Sequence, residues 1–270
     1  MRRRLLLAGL LAAPAVARAQ DRQELRSLAR RAATYLTPPY DLYARRHRDI
    51  VERGQKFNRL LRQLAPEGEV LAASAWLDVS VEPLFLSLPA MGNRLRHASL
   101  AGPFGDSLAP AGAQAIMIVG PEWKGDAPGD VTLVRSPCRT AWLRIGIGIA
   151  KDDDDDLEEA RGLQARVLLE TPDQRNERRI LEMRELMRFR TVPPPEPAAD
   201  WPAPRPAERF DLFDGGLAML GECVLSDRDR SMLEELEPLH LKPGRRFDAR
   251  AFGPAEREAI AAGIADAAVK

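Results

Sequence analysis

Between Glu69 and Ala150 apolar residues fall at close to every second position, in short runs cut by Pro and Gly. That period predicts strands at Val70–Asp78, Leu84–Leu88, Leu95–Leu100, Gln114–Val119, Val131–Arg135 and Thr140–Ile149. Pro83, Pro89, Gly92, Asn93, Pro121, Gly125, Pro128, Gly129 and Pro137 supply the turns between them. Short strands at such spacing predict an antiparallel β-sandwich of immunoglobulin-like type. Trp76, Phe85, Ile116, Ile118, Leu133 and Trp142 are the candidate core residues.

On both sides of this region the period lengthens toward that of a helix. Leu25, Leu28, Ala29, Ala32 and Ala33 recur at three and four, and Thr37-Pro38-Pro39 reads as the stop. A second helical stripe, from about Tyr40 to Leu64, carries Ile50, Val51, Phe57, Leu60, Leu61 and Leu64, with Gly54 as a candidate break. The cluster Arg45, Arg46, His47 and Arg48 on it reads as a solvated helix face. Helices are also expected at Leu157–Leu169, Asn176–Arg190, Phe210–Cys223, Asp227–Leu236 and Pro254–Val269, with Ser226 capping one and Gly253 introducing the last. Seven prolines within residues 191–206 predict a stiff linker. The fold class is therefore α+β. The expected parts are a leader (1–19), an N-terminal helical segment (20–66), a sandwich with a closing helix (67–175), a helix with the Pro-rich linker (176–206) and a small helical region (207–270).

The leader reading rests on Arg2, Arg3 and Arg4, the apolar run Leu5–Ala17 and the small-x-small site Ala17-Arg18-Ala19. These are the parts of a bacterial-type signal peptide, with the mature chain starting at Gln20. The run is too short for a membrane anchor. The expected location is periplasmic or secreted, with no membrane span after cleavage. General and twin-arginine export both fit the basic residues. The whole sequence balances 40 Lys+Arg against 40 Asp+Glu, and four of those cations lie in residues 1–19, so the mature chain carries −4. A mildly acidic chain predicts no nucleic-acid partner. Cys138 and Cys223 are the two cysteines. In an oxidising compartment they can form one disulfide, or lie as two separately buried thiols.

Ser74-Ala75-Trp76-Leu77-Asp78, Gly120-Pro121-Glu122-Trp123-Lys124-Gly125 and Arg135-Ser136-Pro137, with Arg94 at a turn, resemble the domain of unknown function family 1254. Phe210-Asp211-Leu212-Phe213 and Leu241–Asp248 resemble, more loosely, the helical segment that follows in such proteins. The resemblance implies an immunoglobulin-like sandwich plus a small helical region. It also marks departures. A polar run of the family falls on Gly68-Glu69-Val70-Leu71-Ala72, an aromatic pair falls on Leu95-Arg96, and an arginine falls on Gly146. Many relatives continue into a second β domain, numbered 1214. This chain is identified as a shortened, divergent member lacking it.

Chemistry is sparsely written. His47, His97 and His240 are the histidines, and no Gly-x-Ser-x-Gly elbow occurs. Neither cysteine has a metal-binding partner at short spacing. Asp152–Asp156 admits a calcium reading, but the run lacks a calcium hand's central glycine and spaced ligands. A helix N-terminus fits it better. Trp76, Asp78, Arg94, Trp123, Lys124 and Arg135 are the candidate ligand-binding residues. Among them Trp123 also fits a plug for the sandwich end, and Asp78 fits an ion pair with Arg94 or Arg135. No cofactor and no metal are expected. The expected function is non-catalytic binding of a small molecule or an envelope partner. The alternative is a divergent envelope hydrolase acting on a glycan or ester through Asp78, Glu82 or His97.

Overall fold

The computed structural model describes residues 4–108, 112–129, 131–150, 154–184 and 210–268, with side chains of residues 4–19 left aside. Residues 1–3, the Pro-rich stretch 191–206 and Asp152–Asp153 lie outside what it describes. In chain order the first elements are α1 (Arg4–His47), β1 (Leu61–Arg62), β2 (Val70–Asp78), β3 (Leu84–Ser87), β4 (Leu95–Gly102) and β5 (Gly105–Leu108). Then come β6 (Ala115–Val119), β7 (Thr132–Arg135), β8 (Thr140–Gly148), α2 (Asp154–Ala165), β9 (Leu168–Glu170) and α3 (Pro172–Arg184). The last are α4 (Asp211–Leu220), α5 (Asp227–Glu235) and α6 (Pro254–Ala268). Among the described residues no helix is long and apolar enough to cross a membrane.

The chain divides into two compact units. One holds the described parts of Arg45–Trp201 together with Glu222–Val224, and the other holds the rest. The first unit is built on two sheets. One has the order β1-β2-β8-β4-β5 and is antiparallel throughout. The other has the order β7-β6-β3-β9. Leu71, Ala73, Ala75 and Leu77 of β2 share one apolar core with Leu143, Ile145 and Ile147 of β8, and with Leu84, Leu86, Ile116 and Ile118 of the second sheet. Ala160 and Leu163 of α2 close this core, and the buried Gln164 amide donates to the Ala72 carbonyl at 2.9 Å.

Three expectations are corrected here. The sheets are not wholly antiparallel, because β6 and β7 run parallel from Ile116↔Thr132 to Val119↔Arg135. A parallel pair needs a crossover of roughly a dozen residues. Residues 120–131, whose Pro and Gly suggest a turn, are long enough to provide one. The predicted core is also partly out of phase. Ile116 and Ile118 do face the shared core. Trp76 is 2% exposed, yet it neighbours Ala75 and Leu77 in the strand and so lies on the opposite face. There its indole stacks on Trp142 at 6.2 Å and donates to Asp49 at 3.1 Å. Phe85 joins Met117 and Val119 in a separate apolar cluster, and Leu133 is 40% exposed where Val134 points inward. The expected helix to Leu169 stops at Ala165, since Leu168–Glu170 pair with β3 as a strand.

The second unit corrects the helix stop. α1 runs through Thr37-Pro38-Pro39 without a break. Each proline removes a helical N–H and crowds the carbonyl four residues back. Burial on both sides outweighs that cost: Ala29, Ala32, Ala33 and Leu36 precede the prolines, and Leu42 and Tyr43 follow. Close approach adds to it. A Cβ on Gly216 of α4 would sit 3.0 Å from Leu36, and one on Gly263 of α6 only 2.3 Å from the Arg26 carbonyl. Ser226 caps α5 with a reciprocal Asp229 capping box. Beyond α1 the chain enters a short π-helical turn, Arg48–Glu52, and Gly54 at φ 66° follows. The second helical stripe therefore ends well before Leu64, and Leu61 belongs to an edge strand.

Candidate functional site

A cleft of about 330 Å³ lies at one end of the two-sheet unit. Its walls are Val79–Glu82, which follow β2, and Gly120–Lys124, which follow β6, with Arg139 between them. Both walls are held by polar side chains. The Asp78 carboxylate accepts from the Ser80 N–H at 3.0 Å and the Ser80 hydroxyl at 2.5 Å, which fixes the first turn. Asn58 clasps the Asp78 backbone on its other side, at 2.8 and 3.2 Å. Arg135 holds the second wall. Its Nη1 donates to the carbonyls of Gly120, Pro121 and Trp123 at 3.1, 3.2 and 2.7 Å.

The glycines of the Gly120–Gly125 phrase are required by close approach. A Cβ on Gly120 would stand 2.4 Å from the Val79 carbonyl oxygen, and one on Gly125 would stand 2.4 Å from the Trp123 ring. Gly120→Ala is therefore expected to destabilise by about 1–3 kcal/mol, because the backbone rather than a side-chain tip must move. Gly129→Ala meets nothing within 4 Å. It should stay within about 0.5 kcal/mol of the parent. Urea unfolding of the two variants checks this, and equal stabilities would refute the role given to Gly120.

Trp123 packs against the apolar cluster of Phe85, Met117 and Val119, as Ala127 and Val131 also do. Its indole Nε1 is nevertheless buried without a hydrogen-bond partner while the residue lines the cleft. Glu122 pairs with Arg139 at 2.8 Å. Lys124 makes no ion pair among the described residues. Glu82 is exposed, and partial burial followed by the nearby Asp173 raises its carboxyl above the usual value.

The structure thus gathers Trp123, Lys124 and Arg135 at one place, with Asp78 at its edge. It separates the other candidates. Trp76 lies buried against Asp49, and Arg94 is taken by Asp156 at 2.6 Å and Glu159 at 2.7 Å. Asp78 pairs with neither Arg94 nor Arg135. Asp156 also accepts from the Ala150 N–H at 2.6 Å, a helix-entry role of the kind expected of the acidic run. Among the described residues no three His, Cys, Asp or Glu side chains gather as they would around a metal ion. His97 lies over Gly146, where a Cβ would come within 2.2 Å of its ring, and makes no hydrogen bond among the described residues. Burial and then Arg144 lower its pKa. Ser99, two residues on, faces Arg144 at 3.5 Å.

Sequence reasoning missed two features. Arg139 enters the cleft because its backbone carbonyl accepts from Val79 at 2.9 Å, a pairing with no local signal. Arg46, assigned to a solvated face, is 1% exposed and bidentate to Glu222 at 2.6 and 2.8 Å. The one available hint was spacing: Arg46 stands four residues after Leu42 and four before Ile50, on one helix face. Cys138 and Cys223 form a disulfide.

The family model DUF1254, described as a protein of unknown function, matches residues 56–171, a span that includes every strand from β1 to β9. None of the curated proteins matches the chain. Among solved structures, the crystal structure of the VPA0106 protein from Vibrio parahaemolyticus is similar at a TM-score of 0.67 and 17% identity. The match covers 91% of this chain and 58% of that one, so the chain spans little more than half the neighbour's length. Likeness at that identity shows a shared mixed helix-and-sheet fold.

Proposed function

From a chain whose residues 56–171 match the DUF1254 family model, we propose an exported, non-catalytic protein that binds a small molecule in the cleft beside Trp123. The observation that carries this reading is the pairing of a well-braced cleft with groups that have no partner. Arg135 Nη1 and Asp78 Oδ1 brace the walls, whereas Lys124 and Glu82 line the cleft, exposed and without an ion pair among the described residues. A few convergent polar groups in a concave, partly apolar site are the usual form of a small-molecule site. Export is supported by the basic start, the apolar run and the Ala17-Arg18-Ala19 site, and the Cys138–Cys223 disulfide suits an oxidising compartment. The two sheets that share one core support an immunoglobulin-like sandwich, with the parallel β6–β7 pair as a departure.

Thermal shift of the purified protein against envelope metabolites tests the reading. A ligand present at a hundred times its Kd adds about 2.7 kcal/mol of stability. At least one compound should raise Tm in the parent and fail to do so in Lys124→Met. Silence across a broad panel, or responses that ignore Lys124, would count against the cleft. The protein should be recovered from the periplasmic fraction with the mass of a chain starting at Gln20; its absence from that fraction would overturn the export reading, and an intact leader there would overturn the cleavage.

A further inference from the structure

The cleft carries opposite charges on its two walls, and neither is answered internally. Lys124 stands on one wall without an ion pair, and Glu82 stands on the other, exposed and without one, among the described residues. Glu122 and Arg139 do not change this balance, because they neutralise each other at 2.8 Å. Asp173 adds a second negative charge near Glu82, and that repulsion helps raise the Glu82 carboxyl above its usual value. A bound ammonium would relieve it.

Resting on the reading of this cleft as a binding site, we infer that it takes a small zwitterion, a free amino acid or a short peptide, with its ammonium at Glu82 and its carboxylate at Lys124. A simple anion would meet the charge of Glu82, and a simple cation that of Lys124. A neutral ligand would desolvate both charges without pairing either. The zwitterion alone satisfies both walls. Val81 stands 88% exposed on the rim and offers apolar surface to a side chain placed between the poles. The volume of about 330 Å³ is at the small end of ligand sites.

Isothermal titration with four probes tests the assignment: L-leucine, L-leucyl-L-leucine, N-acetyl-L-leucine and L-leucinamide. At least one zwitterion should bind, and which of the two binds tighter separates a free amino acid from a peptide. Capping either end should weaken binding about tenfold or more, because each cap removes a charge-assisted hydrogen bond. Glu82→Gln should weaken the zwitterion and leave N-acetyl-L-leucine unchanged. Lys124→Met should weaken it and leave L-leucinamide unchanged. Both side chains are exposed, so unchanged Tm values in the free variants will show that the fold is intact. Equal binding of capped and uncapped probes, or no binding of either zwitterion, overturns the inference. Other ligands whose binding is lost in Lys124→Met would then leave the cleft itself standing. Binding that neither substitution alters would overturn the inference and the cleft together.

Discussion

Replacing Cys138 and Cys223 together with serine should lower unfolding free energy by about 4.5 kcal/mol in the chain-entropy model, and by about 2–5 kcal/mol on the usual experience of native disulfides. The estimate comes from the separation of 85 residues that the bond closes. The bond has a local consequence as well. It sits within a small antiparallel bridge in which Arg139 N–H donates to the Glu222 carbonyl and Val224 N–H to the Pro137 carbonyl, each at 2.9 Å. Residues 222–224 are thereby held against the start of β8, apart in sequence from the rest of their unit. Denaturant unfolding of the parent, the double variant and the reduced parent measures the effect. The last two should agree. A double variant within about 0.5 kcal/mol of the parent, the range of a neutral surface change, would show that the hydrogen bonds hold the segment without the bond.

Arg46→Met should cost about 3–5 kcal/mol, the range for breaking a buried ion pair by removing one partner. The Arg46 side chain is 1% exposed and that of Glu222 is 23% exposed. The guanidinium reaches both Glu222 oxygens and also donates to the Thr140 hydroxyl, which in turn donates to Glu222 at 2.6 Å. Without the guanidinium, the carboxylate keeps the hydroxyl and loses its counter-charge. Glu222→Gln should also destabilise, since it leaves a buried cation facing a neutral amide. The two changes together should cost at least about 1 kcal/mol less than their sum, as expected of residues in one network. Strict additivity would mean that the pair does not act as a unit. A solvated helix face, by contrast, would tolerate Arg46→Met within about 0.5 kcal/mol.

Much of the strand pattern was legible. Val70–Asp78 was placed residue for residue, and the strands now β3, β4, β6, β7 and β8 were placed within one or two residues. Period two and the Pro/Gly turns are local properties, so they can be read without the partner strand. Which face pointed inward was less legible. On β2 and β3 both faces are buried, one in the shared core and the other under Asp49 or beside Trp123, and size then misleads. Trp76 and Phe85 read as core candidates, whereas the shared core takes the smaller Ala75 and the neighbouring Leu86. The short strands β1, β5 and β9 carry too few residues for a period to appear.

The candidate site divides in the same way. Trp123, Lys124 and Arg135 stand in two short phrases of the sequence, but nothing local separates them from Trp76 and Arg94, which read as candidates beside them. The sequence by itself determined the strand periodicity and the helix entry at Ser226, because each depends on neighbours along the chain. Only the tertiary structure decided that α1 continues past its prolines, that β7 lies parallel to β6, that Arg46 is buried and that Arg139 enters the cleft. The reason is physical. These outcomes turn on burial and pairing between residues far apart in the chain, and such energies override local propensity without leaving a local trace.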